Sequence, residues 1–154
     1  MEETTMHFKI LEARADVLGI WAELDSAFEP PLSSLVDDVP NYAYKLADNA
    51  INLAYYDAEM LIGCISFYAN DLVTKKAYIA EFAIRKDKQG SGVGSLLLNR
   101  ALDIAFGEKD MDSVFLEVRK DNPGAIRFYS RNGFCIAEDR SSKILMVKVN
   151  DTNT

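Results

Sequence analysis

The residues between positions 85 and 95 have the types and the order that bind an anion. Three basic residues come first, and three glycines follow at positions 90, 92 and 94. An apolar, strand-like run precedes this turn, and apolar residues at helical spacing follow it. The first N–H groups of a helix have no partner inside the helix, and the helix dipole places partial positive charge there. The order of strand, glycine turn and helix therefore predicts a pyrophosphate-binding loop, with Arg85, Lys86 and Lys88 adding positive charge.

The glycine turn has three other interpretations. Glycines in a short connection can serve only to allow a tight turn. A Walker loop needs Gly, four residues and then Gly-Lys-Ser/Thr, and the sequence contains no such run. A dinucleotide fingerprint would place its third glycine at position 95, which is Ser95. The pattern that is present is Gln-x-x-Gly-x-Gly, formed by Gln89, Gly92 and Gly94.

The composition bounds the class of protein. The chain has 154 residues and a formal net charge of -7 at pH 7, which predicts a single domain over residues 1–154 and argues against a nucleic-acid or anionic-membrane binder. No apolar run approaches the roughly 20 residues that span a bilayer, and the acidic N-terminus does not resemble a signal peptide. We therefore expect a cytoplasmic protein, and the negative charge favours cationic or amine-bearing partners.

Cysteine and histidine have no spacing that suits metal binding or thiol chemistry. Cys64 lies in an apolar run and Cys135 follows a Gly-Phe pair, so both are expected to be buried and reduced. The only histidine, His7, is expected on the surface near the N-terminus. We therefore predict no metal site and no covalent cysteine intermediate.

Apolar periodicity and turn residues predict the elements that position the loop. A strand over residues 7–11 and a helix over 14–28 come first, and Glu29-Pro30-Pro31 is expected to end that helix. The later predictions are a hairpin (51–56 and 60–69), a strand (77–84), a helix from Val93 that ends at Gly107, a strand (113–118), a helix begun by Asn122 and Pro123 and ended by Gly133, and a final strand pair (134–137 and 144–149). The last strand is expected to be exposed, which leaves open its pairing across a homodimer.

The segment from 32 to 49 keeps two interpretations open. Its acidic and aromatic side chains (Asp37, Asp38, Tyr42 and Tyr44) could line a substrate cleft. The segment is equally consistent with an ordinary pair of surface helices, the second beginning near Pro40.

A second motif decides the family resemblance. Leu-Glu-Val begins at Leu116, and Asn-x-x-Ala-Ile-x-Phe-Tyr-x-x-x-Gly-Phe runs from Asn122 to Phe134. Together with the Gln89 loop, one helix and one strand earlier, it resembles the GNAT superfamily of N-acetyltransferases over residues 77–134. The resemblance implies an α/β fold with a mixed, mostly antiparallel and splayed sheet flanked by helices.

The resemblance also implies acetyl-CoA as the cosubstrate. Its pantetheine would lie in the splay of the sheet against main-chain groups at the end of the strand over residues 77–84, and its pyrophosphate on the glycine loop. Asn122 would lie near the pantetheine, although helix capping alone also explains this residue. The family often has a proline and an arginine before the loop, where this chain has Lys86-Asp87-Lys88-Gln89. The residues assigned to the cofactor are Phe82, Ala83, Ile84, Gln89, Gly90, Ser91, Gly92, Val93, Gly94, Ser95 and Asn122.

Acetyl transfer to an amine needs a proton acceptor, a stabilised oxyanion and a proton donor for the departing thiolate. Tyr129 matches the family tyrosine that protonates the CoA sulfur, and a phenol stays protonated at neutral pH. The strand amides around Ala83 and Ile84 would polarise the thioester carbonyl. Three interpretations of the base remain: Glu117, Glu81, or a water chain without a dedicated carboxylate.

The resulting hypothesis is direct acetyl transfer to a primary amine on a small molecule, an amino sugar or a protein N-terminus. The main alternative is a non-catalytic acyl-CoA-binding module that acts as a sensor or partner subunit. A nucleotide-dependent oxidoreductase is a third hypothesis, which leaves the motif from Asn122 to Phe134 unexplained.

Overall fold

The computed structural model describes residues 5–28 and 31–151, and the strands of this part form a seven-stranded mixed sheet in the order β1-β2-β3-β4-β5-β7-β6. The predicted α/β fold is confirmed. The strands are β1 (Met6–Leu11), β2 (Ile51–Asp57), β3 (Met60–Tyr68), β4 (Lys76–Ile84), β5 (Ser113–Arg119), β6 (Cys135–Asp139) and β7 (Lys143–Val149). The helices are α1 (Arg14–Glu23), α2 (Leu32–Leu35), α3 (Val39–Asn49), α4 (Val93–Asp103) and α5 (Pro123–Arg131).

Contacts group the chain into two compact units. The first contains the described residues up to Tyr68 together with Ala80–Ala101, and the second contains Ala69–Ile79 and the described residues from Leu102 onward. Strand β4 is divided between the two units. Its residues up to Ile79 belong to the second unit, and its residues from Ala80 onward belong to the first unit. The single-domain assignment to residues 1–154 stays a prediction.

In the first unit, α1 and α3 pack over the antiparallel strands β1, β2 and β3. Their apolar residues recur at helical spacing, so each helix buries one face. Arg14 of α1 donates to Asp48 of α3 at 2.6 Å, and this hydrogen bond lowers the pKa of Asp48. The core side chains of this unit are Leu11, Val17, Ile20, Trp21, Leu24, Leu32, Ala43, Leu46, Ala54, Leu61, Cys64 and Ala83.

A buried polar chain crosses this core. The indole N–H of Trp21 donates to Ser66 Oγ at 3.2 Å, and Ser66 Oγ donates to Asn52 Oδ1 at 2.6 Å. The amide of Asn52 then donates to the carbonyl of Leu46 at 3.1 Å, near the end of α3. Because each of these buried groups finds a partner, the chain fixes α1 and α3 on the sheet without the penalty of an unsatisfied polar atom.

Gly63 on β3 sets the approach of β3 to the end of β4. A Cβ at this position would lie 2.7 Å from the carbonyl oxygen of Ala83 and 2.5 Å from Cδ1 of Ile84. Both distances are below van der Waals contact, so any larger residue must push the strands apart. The glycine therefore permits the close approach of β3 to the last residues of β4.

The Gly63→Ala variant is expected to lose about 1–3 kcal/mol of the free energy of unfolding, because the extra methyl group overpacks the strand pair. Chemical denaturation followed by circular dichroism measures this change. Gly19→Ala is the matched control, since Gly19 lies in α1 with no atom within 4 Å of the added Cβ. It should gain up to about 1 kcal/mol from helix propensity. A Gly63→Ala variant as stable as the wild type would show that the two strands can separate freely.

In the second unit, the start of β4 pairs in parallel with β5, and β7 pairs antiparallel with both β5 and β6. The ladder between β4 and β5 joins Lys76 to Ser113, Ala77 to Val114 and Tyr78 to Phe115. One face of β5 is buried, and Phe115 and Glu117 lie on the other face, half-buried. This alternation was predicted from the sequence and is confirmed.

Several sequence predictions were wrong in detail. Helical structure continues through Gly107 as a wide turn (Ile104–Glu108), and the left-handed residue that follows it is Asp110, with φ of 55°. The helix over 14–28 stops at Glu23 and is followed by a short 3-10 turn (Asp25–Ala27). The expected end at Glu29-Pro30 lies outside the described residues. The interpretation of the segment from 32 to 49 as a pair of helices is confirmed, since α2 and α3 form there. Its role in lining a substrate cleft stays a prediction.

Two further corrections concern the sheet edge. The last strand β7 lies between β5 and β6, so the strand at this edge of the sheet is β6, opposite the edge formed by β1. Every residue of β6 is exposed, including Cys135, which was predicted to be buried. Cys64 is buried as predicted, and its burial raises the pKa of the thiol. His7 is exposed as predicted and stacks on Tyr56.

Among the described residues, no helix is both long enough and apolar enough to span a bilayer.

Candidate active site

The glycine turn follows directly from the end of β4. The N–H of Arg85 donates to the carbonyl of Ile62 on β3 at 2.8 Å, which holds the last residue before the turn against the sheet. A single 3-10 turn (Lys86–Lys88) then leads to the glycines. Helix α4 begins at Val93, and the N–H of Leu96 donates to the carbonyl of Gly92 at 3.3 Å. The predicted order of strand, glycine turn and helix is confirmed.

Two of the three glycines have a conformation that other residues rarely adopt. The φ angle is 80° at Gly90 and 90° at Gly92. A Cβ at either position would meet no atom within 4 Å, so the surrounding space is open. The glycines are therefore required by the left-handed backbone rather than by packing. They leave main-chain groups accessible at the start of α4, which is where an anion is stabilised.

The side chain of Gln89 braces the turn. Its Nε2 donates to the carbonyl of Ile84 at 2.9 Å, five residues back at the end of β4. The hydroxyl of Ser91 donates in the same way to the carbonyl of Lys88. These two bonds fold the loop back on its own backbone, so Gln89 and Ser91 shape the site that the sequence assigned to the pyrophosphate.

The basic residues before the glycines do not contribute equal positive charge to the turn. Nε of Arg85 lies 3.1 Å from Oδ1 of Asp87, so part of its charge is neutralised locally. Beside this ion pair lies a cavity of about 430 Å³ within the first unit, lined by the end of α1, the turn between β2 and β3, and residues 85–87. Glu23 and Glu59 also line this cavity. The walls of this cavity thus carry both positive and negative charge. From the sequence, this turn was expected to be mainly positive.

Glu81, one of the two predicted base candidates, is held by a tyrosine of α3. The hydroxyl of Tyr42 donates to Oε1 of Glu81 at 2.6 Å, and both side chains are half-buried. A short hydrogen bond from a neutral hydroxyl to a carboxylate orients the carboxylate and stabilises its ionised form. Glu81 is therefore an oriented carboxylate on β4, in the first unit.

Glu117, the other candidate, lies on β5 in the second unit between two donors. The hydroxyl of Tyr78 donates to its Oε1 at 3.1 Å, and Nη1 of Arg140 lies 3.4 Å from its Oε2. Arg140 also pairs with Glu138 at 3.1 Å. Both oxygens of Glu117 are thus engaged, one by a hydroxyl and one by a guanidinium.

Tyr129, the predicted proton donor, has a ring that two phenylalanines hold edge-on. The ring centroids lie 5.2 Å from Phe128 and 5.6 Å from Phe134, at interplanar angles of 72° and 69°. This packing fixes the ring through its apolar edges. The orientation of Tyr129 therefore does not depend on its hydroxyl alone.

Helix α5, which carries Tyr129, begins as the sequence predicts. Oδ1 of Asn122 accepts from the N–H of Ala125 at 3.1 Å, and Pro123 follows as the first helical residue. Gly133 ends the helix with φ of 94°. The capping role of Asn122 is confirmed, and its contact with a cofactor stays a prediction.

The predicted site residues fall into two groups. The first unit contains Glu81, Phe82, Ala83, Ile84 and the loop 89–95, and the second contains Glu117, Asn122 and Tyr129. Sequence reasoning missed Tyr78 and Arg140, the partners of Glu117. The register of the strands could have identified Tyr78. Tyr78 pairs with Phe115, which lies two residues before Glu117 on the same face of β5. Among the described residues, no group of three or more His, Cys, Asp or Glu side chains is placed to bind a metal ion.

Comparison with known proteins identifies the family. Residues 18–134 match the acetyltransferase (GNAT) family. The chain is 30% identical to the spermidine N(1)-acetyltransferase of Vibrio cholerae over 126 residues, which is 80% of this chain and 69% of that protein. It therefore belongs to the GNAT family and is an acetyltransferase, as the two sequence motifs predicted.

Solved structures agree with this assignment. The PaiA N-acetyltransferase of Thermoplasma acidophilum, in complex with coenzyme A, superposes with a TM-score of 0.73 over 94% of this chain and 99% of that chain, and at 17% identity this likeness concerns the fold. A putative streptothricin acetyltransferase of Bacillus anthracis, in complex with acetyl coenzyme A, is 27% identical, with a TM-score of 0.59 over 67% of this chain and 64% of that one.

Proposed function

We propose that the protein transfers the acetyl group of acetyl-CoA directly to a primary amine. The observation that carries this proposal is the glycine turn, whose left-handed Gly90 and Gly92 leave bare backbone at the start of α4. An adenine nucleotide linked through pyrophosphate is the kind of anion that such a turn accepts. The complexes of similar acetyltransferases with coenzyme A and acetyl coenzyme A support the same cosubstrate.

The roles follow the sequence assignments. The loop from Gln89 to Ser95 would hold the pyrophosphate, and main-chain groups of Phe82, Ala83 and Ile84 would hold the pantetheine and polarise the thioester carbonyl. Asn122 would lie near the pantetheine. In the reaction, the amine nitrogen forms a bond to the carbonyl carbon while a carboxylate or water takes its proton. The C–S bond then breaks, and Tyr129 gives its phenolic proton to the sulfur. Glu81 and Glu117 are the two carboxylates available for the first step.

The acceptor is proposed to be a small amine that carries further positive charge. The formal net charge of -7 favours a cationic substrate over an anionic one through long-range attraction. The names of two similar proteins point the same way, one to spermidine and the other to streptothricin. The alternative acceptors are an amino sugar and a protein N-terminus.

The test is release of CoA thiol from acetyl-CoA with a panel of acceptors. The panel contains polyamines, aminoglycosides, amino sugars, amino acids and short peptides, and binding of NAD is measured in parallel. We expect acceptor-dependent release that is largest with a polycationic amine, and no binding of NAD. Tight binding of acetyl-CoA without release from any acceptor would favour the non-catalytic acyl-CoA-binding module instead. Binding of NAD in place of acetyl-CoA would overturn the proposal.

The cytoplasmic location and the homodimer stay predictions from the sequence. If a homodimer forms through a sheet edge, the edge strands are β1 and β6 rather than the last strand, β7.

A further inference from the structure

Lys148 occupies a position on β7 at which the alternation of the strand predicts an apolar residue. It pairs with Val114 in the antiparallel ladder with β5, and Met146 pairs with Leu116 two residues earlier. Residues directly opposite each other in such a ladder share a face of the sheet. Val114, Leu116 and Met146 are all buried, and Lys148 is half-buried. An ammonium group on this face is costly unless it has a polar partner.

The partner of this ammonium group is the end of helix α5. Nζ of Lys148 donates to the carbonyl of Asn132, the residue that caps the C-terminus of the helix, at 3.0 Å. The side chain passes over Gly133, where an added Cβ would lie 2.9 Å from Nζ and 3.2 Å from Cε of Lys148. A cation here also interacts favourably with the negative end of the helix dipole. Lys148 therefore ties the end of α5 to an interior strand of the sheet.

The same helix end holds the main chain and the ring of Tyr129. The N–H of Phe134 donates to the carbonyl of Tyr129 at 3.0 Å, and the N–H of Gly133 donates to the carbonyl of Ser130 at 3.1 Å. With the left-handed glycine, these two bonds form a Schellman motif, which an apolar contact often accompanies. That contact is present, since the ring centroids of Tyr129 and Phe134 lie 5.6 Å apart.

Bonds within this motif fix Tyr129 only relative to the helix end. The chain continues from Phe134 into β6, which is the edge strand here and is exposed along its whole length. Segments with few buried contacts open more readily than the core does. Lys148 supplies a second connection, because its own main chain lies in the ladder between β5 and β7. The position of Tyr129 over the sheet therefore depends on this lysine.

We propose that Lys148 is a positioning residue for the proton donor Tyr129. The proposal rests on the proposed function, in which the phenolic proton passes to the sulfur of CoA as the C–S bond breaks and the phenolate then regains a proton from solvent. Lys148 exchanges no proton with either substrate. It holds the end of α5 against β7, so that the hydroxyl of Tyr129 is in place when the sulfur departs. A displacement of about 1 Å at a reacting group can lower the rate about 10²-fold.

The test is a double-mutant cycle on kcat with the best acceptor of the panel. Lys148→Met keeps most of the apolar stem but removes the donor, and it is expected to lower kcat about 10-fold. Tyr129→Phe alone should lower kcat about 10³-fold. Because Lys148 acts through the hydroxyl of Tyr129, adding Lys148→Met to Tyr129→Phe should lower kcat no further. The affinity for CoA should stay within about twofold in all three variants.

Two control variants separate a positioning role from a structural one. Lys148→Arg keeps a charged donor and should bring kcat to within about threefold of the wild type. Lys143→Met removes the same charge from the first residue of β7, whose side chain is exposed, and should leave kcat unchanged. A loss in Lys148→Met that is fully retained in the Tyr129→Phe background would show that Lys148 acts on the fold as a whole, and it would overturn the inference.

Fluorine NMR gives a measurement that does not depend on turnover. In protein labelled with meta-fluorotyrosine, the resonance that Tyr129→Phe removes belongs to Tyr129. It should shift or broaden in Lys148→Met and stay unchanged in Lys143→Met. If Lys148→Met does not fold, Lys148→Gln replaces it, since the shorter amide cannot reach the carbonyl of Asn132.

The outcomes separate this inference from the proposed function. An unchanged Tyr129 resonance in the Lys148 variant would overturn the inference, even if the wild-type protein is an active acetyltransferase. A wild-type protein without turnover on any acceptor would overturn the proposed function and, with it, the catalytic part of the inference. The altered resonance would then show that Lys148 positions the tyrosine without a role in acetyl transfer.

Discussion

Replacing Tyr129 by phenylalanine is expected to lower kcat about 10³-fold, the middle of the range for loss of a general acid. Protonation of the sulfur as the C–S bond breaks releases CoA as a thiol and favours collapse of the tetrahedral intermediate toward products. Without the phenolic proton, the tetrahedral intermediate returns to reactants more often than it proceeds. The ring itself is held by Phe128 and Phe134, which both contact it edge-on. The variant should therefore keep its packing and lose only the proton donor.

The measurement is steady-state turnover beside direct binding of CoA. Affinity for CoA and the melting temperature should remain close to the wild type, so the loss should appear in kcat alone. Phe134→Leu is the complementary control, since it disturbs the ring contacts but keeps the hydroxyl, and it should cost stability more than kcat. Turnover undiminished in Tyr129→Phe would reject Tyr129 as the acid.

Replacing Gly92 by valine is expected to lower kcat/KM for acetyl-CoA by about 10²–10⁴-fold, equivalent to losing two hydrogen bonds to a charged group at roughly 1.5–3 kcal/mol each. The φ angle of 90° is one that a β-branched residue avoids, so the turn must change its conformation. The side chain would also occupy the open space in front of the first N–H groups of α4. Both effects act on the pyrophosphate and neither acts on the acceptor.

A truncated cosubstrate makes this prediction specific. S-acetyl-pantetheine lacks the pyrophosphate, so its kcat/KM should differ little between wild type and Gly92→Val. Gly107→Ala is the matched control, because Gly107 also has open space around it but lies in the wide turn after α4 without a left-handed φ. Equal losses with both cosubstrates would mean that the valine disrupts the fold rather than the anion site.

Local patterns were sufficient to predict much of this fold. The start of α5 could be read from Asn122 and Pro123, because a cap and a first-turn proline act within a few residues of one another. The alternation along β5 likewise depends on neighbours in sequence. The prediction that Gly107 ends the helix was wrong, because helical structure continues past this residue. A glycine often ends a helix, but here the backbone closes a wide turn at Lys109 and reverses at Asp110.

Contacts between distant segments could not be predicted in this way. Tyr42 and Glu81 meet only because α3 packs beside the end of β4, and no local pattern encodes that placement. The partners of Glu117 required knowledge of strand register for Tyr78 and of the turn between β6 and β7 for Arg140. The exposure of Cys135 followed from strand order, since β7 returns to pair with β5 and leaves β6 at the edge. These are tertiary contacts, and they determine which groups surround each carboxylate.

The buried indole of Trp21 has a practical consequence for spectroscopy. It is the only tryptophan in the chain, it is 1% exposed, and it donates to Ser66 inside the first unit. Intrinsic fluorescence excited at the red edge of absorption will therefore report directly on the loosening of α1 and its strands, and it will follow α5 only if unfolding is concerted. An emission-detected melt can rank variants at Gly63, whereas those at Tyr129 need a probe that senses the whole backbone. Disagreement between the two signals would reveal stepwise rather than concerted unfolding.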